Sequence, residues 1–207
     1  DEVNSAAGDA EVLLVTRDNR RHTNDIERRY RAAIRTARER VVIANAYFFP
    51  GYRLLRELAN AARRGVRVRL IMQGEPDMPA AKIAASMLYD YLADAGVEIH
   101  EYCARPLHGK VACIDDSWVT VGSSNLDPFS LALNLEANVI AYDKGLNQAL
   151  RQRLDTLLQK HCQLAPRGGG GGRPRRAGGG GGGGGGGARA PPPPAPPPRP
   201  WCHRPSV

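Results

Sequence analysis

The sequence predicts an α/β fold in which a mixed, mainly parallel sheet is flanked by helices. In the first half of the chain, apolar runs of strand length alternate with helical periodicity, an order typical of β-α units and parallel strands. In the second half, strand signals are joined by short polar turns, which favour antiparallel pairing. With 207 residues, the chain is long enough for one such domain and too short for two.

The first two strand and helix pairs follow from local patterns. Residues 12–15 are an apolar run typical of a buried strand, and Asn24 and Glu27 have the spacing of a helix-start box. Residues 41–44 form a second apolar strand. The helix after it is expected to end at Gly65, because glycine suits the left-handed conformation common at helix C-termini.

A third unit begins with a strand at residues 66–71. The loop at residues 73–79 has two interpretations, as a plain lead-in to the next helix or as a loop that faces the substrate. Apolar residues at helical spacing between Ile83 and Leu92 predict that helix, and residues 97–102 alternate as a fourth strand.

The rest of the domain predicts antiparallel strands and one helix. Residues 107–114 and 118–121 are strands joined by a tight turn at residues 115–117, and residues 134–142 form another strand. A last helix at residues 146–158 carries its leucines along one face.

Composition divides the chain into a polar lead-in at residues 1–10, one domain at residues 11–163, and a Gly-, Pro- and Arg-rich tail at residues 164–207. The lead-in and the tail are expected to be disordered, because neither has an apolar face whose burial could offset the entropy cost of ordering. Because the first residue is Asp1 rather than Met, we expect the chain to be a piece of a longer protein.

The charge distribution argues against a nucleic-acid partner. The formal net charge is +8, yet seven of the 29 basic residues lie after Pro166, where no acidic residue occurs. Removing those seven leaves 22 basic against 21 acidic residues. The domain is therefore nearly neutral and exerts no long-range attraction on a polyanion.

Neither a metal site nor a membrane-spanning segment is predicted. The four cysteines are scattered, without the paired spacing of a zinc site. The longest apolar run, at residues 41–49, is about half as long as a spanning helix needs to be. We therefore expect no cofactor, and any membrane contact is expected to be peripheral or to use a segment outside this sequence.

Six residues in the second half have the spacing His108-x-Lys110-x4-Asp115-x6-Gly122-Ser123-x-Asn125. Two residues apart on a strand, His108 and Lys110 extend from the same face. An imidazole can attack phosphorus or protonate a leaving oxygen, while Lys110 and Asn125 can donate hydrogen bonds to oxygens that gain charge in the transition state. Ser123 would orient those donors, so the set predicts catalysis on a phosphate ester.

Each of these residues also has a structural interpretation. A single histidine in a strand is more often structural than catalytic, and we interpret the other four histidines in that way. His108 differs because five further positions match a fixed spacing around it. Asp115, at the end of a strand, can be a plain turn residue, and that interpretation is compatible with membership of the site through a turn that bends toward a neighbouring strand.

The motif resembles the signature of the phospholipase D superfamily, H-x-K-x4-D followed by G-S-x-N. Four further segments resemble the C-terminal half of bacterial cardiolipin synthases of the B type, namely residues 44–51, 73–79, 106–110 and 123–128. The resemblance covers about residues 11–163 and implies a phospholipase D-like fold. It is very specific for the superfamily and less specific for the substrate.

The resemblance implies metal-free phosphatidyl transfer through a phosphohistidine, at a site formed by two such motifs. One histidine attacks the phosphodiester, and the other is the acid for the leaving alcohol and then the base for the incoming one. It also implies that a downstream carboxylate holds the histidine in its working tautomer. Glu136 is the candidate for that role, with a plain surface glutamate as the alternative.

The second motif is missing from this sequence, because none of the other four histidines is followed two residues later by Lys. A complete site would need a preceding N-terminal half or a second copy of the chain. We expect an enzyme that forms cardiolipin from phosphatidylglycerol and a second phospholipid, bound peripherally to the cytoplasmic face of the bacterial inner membrane. The alternatives are a single-motif dimeric phosphodiesterase of the nuclease type and an inactive fragment that only folds.

Overall fold

The structure is a computed structural model that describes residues 10–74, 88–127, 130–131 and 133–165. Its elements, in chain order, are β1 (Glu11–Arg17), α1 (Asp25–Thr36), β2 (Arg40–Asn45), α2 (Tyr52–Arg63), β3 (Arg67–Gln73), β4 (Glu98–Tyr102), β5 (Lys110–Ile114), β6 (Trp118–Gly122), β7 (Glu136–Tyr142), α3 (Lys144–His161) and β8 (Cys162–Leu164). Residues 88–94 form a further helical segment before β4. Most of the predicted lead-in, loop residues 75–79 and almost all of the predicted tail lie outside the described residues.

The described strands form one mixed eight-stranded sheet in the order β1-β7-β6-β5-β2-β3-β4-β8. The predicted class, a mixed α/β sheet flanked by helices, is confirmed. Parallel pairing joins β2 to β3 and β3 to β4, as the β-α units predicted. The other neighbouring pairs are antiparallel, so parallel pairs are fewer than a mainly parallel sheet implies. The reason is that the turn between β5 and β6 is too short for the crossover that parallel neighbours require.

Helices cover both faces of the sheet and divide the core into two layers. On one face, α1, α2 and the helical segment pack through residues that include Ile26, Tyr30, Leu54, Leu58 and Leu92. On the other face, α3 packs through Leu154 on a cluster that includes Val42 and Cys113. Strand β2 lies between the layers, and residues 41–44 are at most 1% exposed. This position explains why its sequence is apolar without alternation.

Two predicted helix ends have different outcomes. Helix α1 begins at Asp25, next to the predicted start box, but the side chain of Asn24 makes no capping hydrogen bond. The helix therefore starts where the start box predicts, but the side-chain capping hydrogen bond that such a box implies does not form. Helix α2 ends as predicted, because Gly65 has a φ of 91° and its N–H donates to the carbonyl of Ala62.

Two strands start at least two residues later than predicted, and one strand was not predicted. Strand β5 begins at Lys110, so His108 precedes the strand rather than lying in it, and β7 begins at Glu136. Strand β8 was not predicted and pairs with β4 as far as Leu164, one residue beyond the expected end of the domain. Short edge strands of this kind have no hydrophobic period that would reveal them in the sequence.

Candidate active site

Strand direction brings five of the six predicted site residues to one end of the sheet. We call it the upper end, and it is marked by the strand termini Arg17, Asn45, Gln73, Lys110, Gly122 and Glu136. His108, Lys110, Ser123, Asn125 and Glu136 lie there, because β5 and β7 begin and β6 ends at that edge. The opposite, lower end carries the turn at residues 115–117 and the start of α3.

Lys110 is the buried cation of this group. Its side chain is 8% exposed, and Nζ has no hydrogen-bond partner among the residues that the structure describes. Its partner in the register of β2 and β5 is Asn45, which is fully buried. Because burying an ammonium without a compensating bond costs free energy, this position favours an anionic ligand beside it.

His108 is exposed, two residues before Lys110. The pairing with β2 extends to the residue before the start of β5, since the carbonyl of Gly109 accepts a hydrogen bond of 3.0 Å from the N–H of Ala46. Leu107 and Val111 both pack on the α3 side of the sheet. This alternation supports the prediction that His108 and Lys110 extend from the other face together.

The chain that follows β6 is tied to the upper end of β2. The N–H of Leu126 donates a hydrogen bond of 3.2 Å to Oδ1 of Asn45. Asn125, immediately before it, has a buried Oδ1 with no partner within the described part of the chain. Because Asn45 is also the register partner of Lys110, it holds the segment that carries Asn125 close to the buried ammonium.

Asn138 of β7 holds the beginning of the same segment. Its side chain is 1% exposed, and its Oδ1 accepts from the N–H of Ser124 at 3.4 Å while its Nδ2 donates to Oγ1 of Thr120 at 3.3 Å. A Cβ added at Gly122 would lie 2.2 Å from Oδ1 of Asn138. The glycine of the motif therefore permits close packing between β6 and β7.

Ser123 and Glu136 contact each other across the β6–β7 pair. Oγ of Ser123 donates a short hydrogen bond to the carboxylate of Glu136 and accepts one of 3.1 Å from the N–H of Ala137. In β1, Arg17 is the register partner of Glu136 and is 3% exposed. The orienting action of Glu136 on His108 stays a prediction.

Asp115 is the predicted site residue that lies elsewhere. It follows β5 at the lower end, about 16 Å along the strand from Lys110. Its carboxylate accepts hydrogen bonds from the N–H groups of Glu39 at 2.9 Å and Arg40 at 3.1 Å, and from the N–H of Arg38. Asp115 therefore joins the β5–β6 turn to the start of β2, which is a structural role.

Replacement of Asp115 by Ala should reduce stability rather than chemistry. Three N–H groups would lose a charged acceptor, and Ala would adopt the φ of 50° at a cost, so we expect urea denaturation to show a loss of about 1.5–3 kcal/mol. The control is Asp116→Ala, which removes a carboxylate that is exposed and pairs with Lys144. A stable but inactive Asp115→Ala variant would contradict the structural role.

Sequence reasoning missed the roles of Asn45 and Asn138. Both are polar residues in strands whose neighbours on the same face are buried, and both use their amides to hold the chain after β6. The available signal was an amide at the end of the apolar run at residues 41–44. A buried amide needs hydrogen-bond partners, so such a position indicates a long-range contact.

No metal-binding cluster of three or more His, Cys, Asp or Glu side chains occurs in the part of the chain that the structure describes. The ligand-like features of the site are instead an imidazole, an ammonium and an amide. These groups suit an anionic phosphate ester, whose charge the ammonium can neutralise.

Comparisons with known proteins identify the family of this chain. A family model described as "Cardiolipin synthase, PLD-like domain" matches residues 30–158. Cardiolipin synthase B of Escherichia coli strain K12 is 59% identical over 162 residues, which cover 78% of this chain and 39% of that protein. Cardiolipin synthase 2 of Bacillus anthracis is 37% identical over 157 residues, which cover 76% of this chain and 30% of that protein. The chain thus spans less than half the length of these curated relatives.

A solved structure has the same fold. Nuc of Salmonella typhimurium, a phospholipase D family member, has a TM-score of 0.64 at 21% identity, over 76% of this chain and 99% of that chain. At this level of identity the likeness concerns the fold alone. It confirms the phospholipase D-like fold that the sequence implied.

Proposed function

The chain belongs to the family of cardiolipin synthase, PLD-like domains, and on this premise we propose that it supplies one of the two half-sites of a phosphatidyltransferase that forms cardiolipin. The observation that carries the proposal is the buried ammonium of Lys110, which lacks a partner among the described residues and lies two residues from the exposed His108. A phosphodiester fits this arrangement, since its anionic oxygens can pair with Lys110 while an imidazole reaches phosphorus.

The first step forms a phosphohistidine. A neutral imidazole makes an N–P bond to the donor phospholipid as the P–O bond to its headgroup alcohol breaks, and that oxygen takes a proton from the imidazolium of the other half-site. With phosphatidylglycerol as donor, glycerol leaves. Lys110 and the side-chain amide of Asn125 donate hydrogen bonds to the non-bridging oxygens, whose negative charge rises in the transition state.

The second step transfers the phosphatidyl group. The imidazole that gave up its proton takes one from a hydroxyl of the acceptor phospholipid, whose oxygen attacks phosphorus and breaks the N–P bond. Cardiolipin and the two original histidine states result. Through its hydrogen bond to Ser123, Glu136 anchors the segment that carries Asn125, and its predicted second action is to set the tautomer of His108.

The proposed partner is a second half-site with its own histidine. One imidazole forms the bond to phosphorus and another transfers the proton, so the reaction requires two imidazoles. The sequence carries one complete motif. The second motif comes from an N-terminal half or from a second copy of the chain. The greater length of the cardiolipin synthase relatives supports the first arrangement.

The proposed location is the cytoplasmic face of the bacterial inner membrane, where phospholipid substrates are available. Among the described residues, no helix combines the length and the apolar character needed to cross a bilayer. The proposed attachment is peripheral, through the surface described in the next subsection.

The function is tested with a protein that carries both half-sites and with radiolabelled phosphatidylglycerol in detergent micelles. We expect cardiolipin and glycerol in equal amounts, and no cleavage of DNA in a parallel assay. Cleavage of DNA without any lipid product would favour the nuclease alternative. This chain alone is expected to be inactive on lipid unless two copies associate, because one motif supplies one imidazole.

Transfer should not require a divalent metal. The site places one imidazole and one ammonium together rather than a set of carboxylates, and a cation beside Lys110 would be repelled. We therefore expect an unchanged rate of cardiolipin formation after dialysis against a chelator. Loss of activity on chelation, with recovery on addition of Mg²⁺ or Ca²⁺, would contradict the prediction.

A further inference from the structure

Five large apolar side chains are exposed around the candidate active site. Their exposed fractions are 50% for Tyr47, 44% for Phe49, 67% for Tyr52, 61% for Leu133 and 76% for Leu135. We call this set the apolar rim. These are five of the thirteen exposed large apolar side chains among the described residues, and a group of them around one opening is typical of an interaction surface.

The rim flanks the site on two sides. Tyr47 and Phe49 belong to the connection from β2 to α2, Tyr52 is the first residue of α2, and the two leucines precede Glu136 at the start of β7. The first connection is held against the catalytic segment, since the N–H of Phe49 donates a hydrogen bond of 2.8 Å to the carbonyl of Leu126. The rim is therefore positioned by the same contacts that position Asn125.

The upper end has exposed cations and no exposed carboxylate among the described residues, whereas the lower end has both. The cations of the upper end include Arg20, Arg21, Arg53 and Arg105, and the exposed carboxylates Glu11, Glu39, Asp94 and Asp116 lie at the lower end beside cations such as Arg38 and Arg64. Half-buried carboxylates at the upper end are engaged within the protein. Asp18 accepts from three backbone N–H groups, and Asp127 accepts from Ser130.

Aromatic rings, leucines and arginines around one opening match the chemistry of an anionic bilayer surface. Rings of Tyr and Phe are favourable at the boundary between headgroups and acyl chains, and arginine pairs with lipid phosphates. A site that acts on phospholipid headgroups must face that boundary. We propose that the apolar rim docks the upper end of the sheet on an anionic lipid bilayer, an inference that rests on the proposed function.

The first test is sedimentation of this chain with vesicles of phosphatidylethanolamine and phosphatidylglycerol. The variant Tyr47→Ser/Phe49→Ser/Tyr52→Ser should lower the partition coefficient by at least about tenfold, since binding strength scales with the apolar area inserted. The control is Tyr142→Ser/Leu146→Ser/Leu164→Ser, whose side chains lie away from the upper end and are 47%, 47% and 66% exposed. It should bind as the unmodified chain does. Equal binding by both variants would overturn the proposal.

A second measurement keeps the proposal testable if the triple variant does not fold. Tyr52→Trp and Tyr142→Trp each add one fluorophore without removing an apolar group. Vesicles that contain brominated lipids should quench the added fluorescence of Tyr52→Trp and not that of Tyr142→Trp. Equal quenching, or quenching of Tyr142→Trp alone, would overturn the proposal.

A third measurement separates docking from catalysis. In a protein with both half-sites, the rim variant should convert monomeric short-chain phosphatidylglycerol at the unmodified rate and vesicle substrate about tenfold more slowly. Loss of both activities, or unchanged vesicle binding with weaker association of the two half-sites, would overturn docking in favour of a protein contact. Rim-dependent vesicle binding without any lipid turnover would support docking and contradict the proposed function.

Discussion

His108→Ala should abolish cardiolipin formation by a protein that carries both half-sites. His108 either makes the bond to phosphorus or transfers the proton, and Ala can do neither. Removal of a nucleophile or of its proton-transfer partner typically lowers kcat by on the order of 10⁶-fold. The measurement is the initial rate of cardiolipin formation from labelled phosphatidylglycerol. Near-normal synthesis by this variant would contradict the assignment of the site.

The same variant separates the two roles of the histidine. If His108 is the nucleophile, acid quenching of a single turnover should trap label on the unmodified protein and none on His108→Ala. If His108 is the acid and base, the variant should still become labelled from a p-nitrophenyl ester of the phosphatidyl group, because p-nitrophenolate leaves without needing a proton. His108 is exposed and lies outside β5, so we expect an unfolding free energy within about 0.5 kcal/mol of the unmodified protein. His22→Ala, at another exposed histidine of the upper end, is the control and should remain active.

Lys110→Met should lower activity without lowering stability. Loss of one donor to the developing charge should cost about 2.7–4 kcal/mol of transition-state stabilisation, or about 10²–10³-fold in rate. In contrast, replacing a buried ammonium that has no partner among the described residues by an apolar side chain of similar length should be neutral or stabilising. A lower rate together with an unchanged or higher unfolding free energy distinguishes a catalytic cation from one that stabilises the fold.

The measurements are kcat/KM for phosphatidyl transfer and urea denaturation on the same preparation. Lys110→Arg is the matched variant, because it keeps the positive charge at the same position and should retain part of the activity. A fall of several kcal/mol in unfolding free energy for Lys110→Met, with activity lost in proportion, would place Lys110 in the stabilisation of the sheet instead.

Local patterns predicted the positions of the elements around the site well, but the apolar run at residues 12–15 was wrongly predicted to be buried. It lies in the edge strand β1, where only Val15 of the run is buried. The apolar run at residues 41–44 became the central strand β2, and Gly65 ended α2 in the expected left-handed conformation. Both outcomes depend on neighbouring residues only, through burial on two faces and through the backbone freedom of glycine. Predictions that depended on a particular side-chain bond were less secure, as Asn24 and its missing cap show.

The candidate site was predictable in part for the same reason. His108, Lys110, Ser123 and Asn125 lie at fixed short spacings, so the antiparallel strands β5 and β6 and the turn between them bring them to the same end of the sheet. The buried state of Lys110 was not predictable, because it depends on Asn45 of β2 and on the segment that crosses above it. The apolar rim was not predictable either, because its residues come from two separate parts of the chain that only the directions of the strands bring to one end of the sheet.

By itself, the sequence determined the motif, the α/β class and the family, since each is carried by residue types at short spacings. Tertiary structure alone decided the role of Asp115, which lies within the motif and yet is carried by β5 to the far end of the sheet. Its partner Arg40 is 75 positions away in the chain, and Asn45 and Leu126 are 81 positions apart. Contacts over such separations depend on the register of strands from distant parts of the chain, and no local period specifies that register.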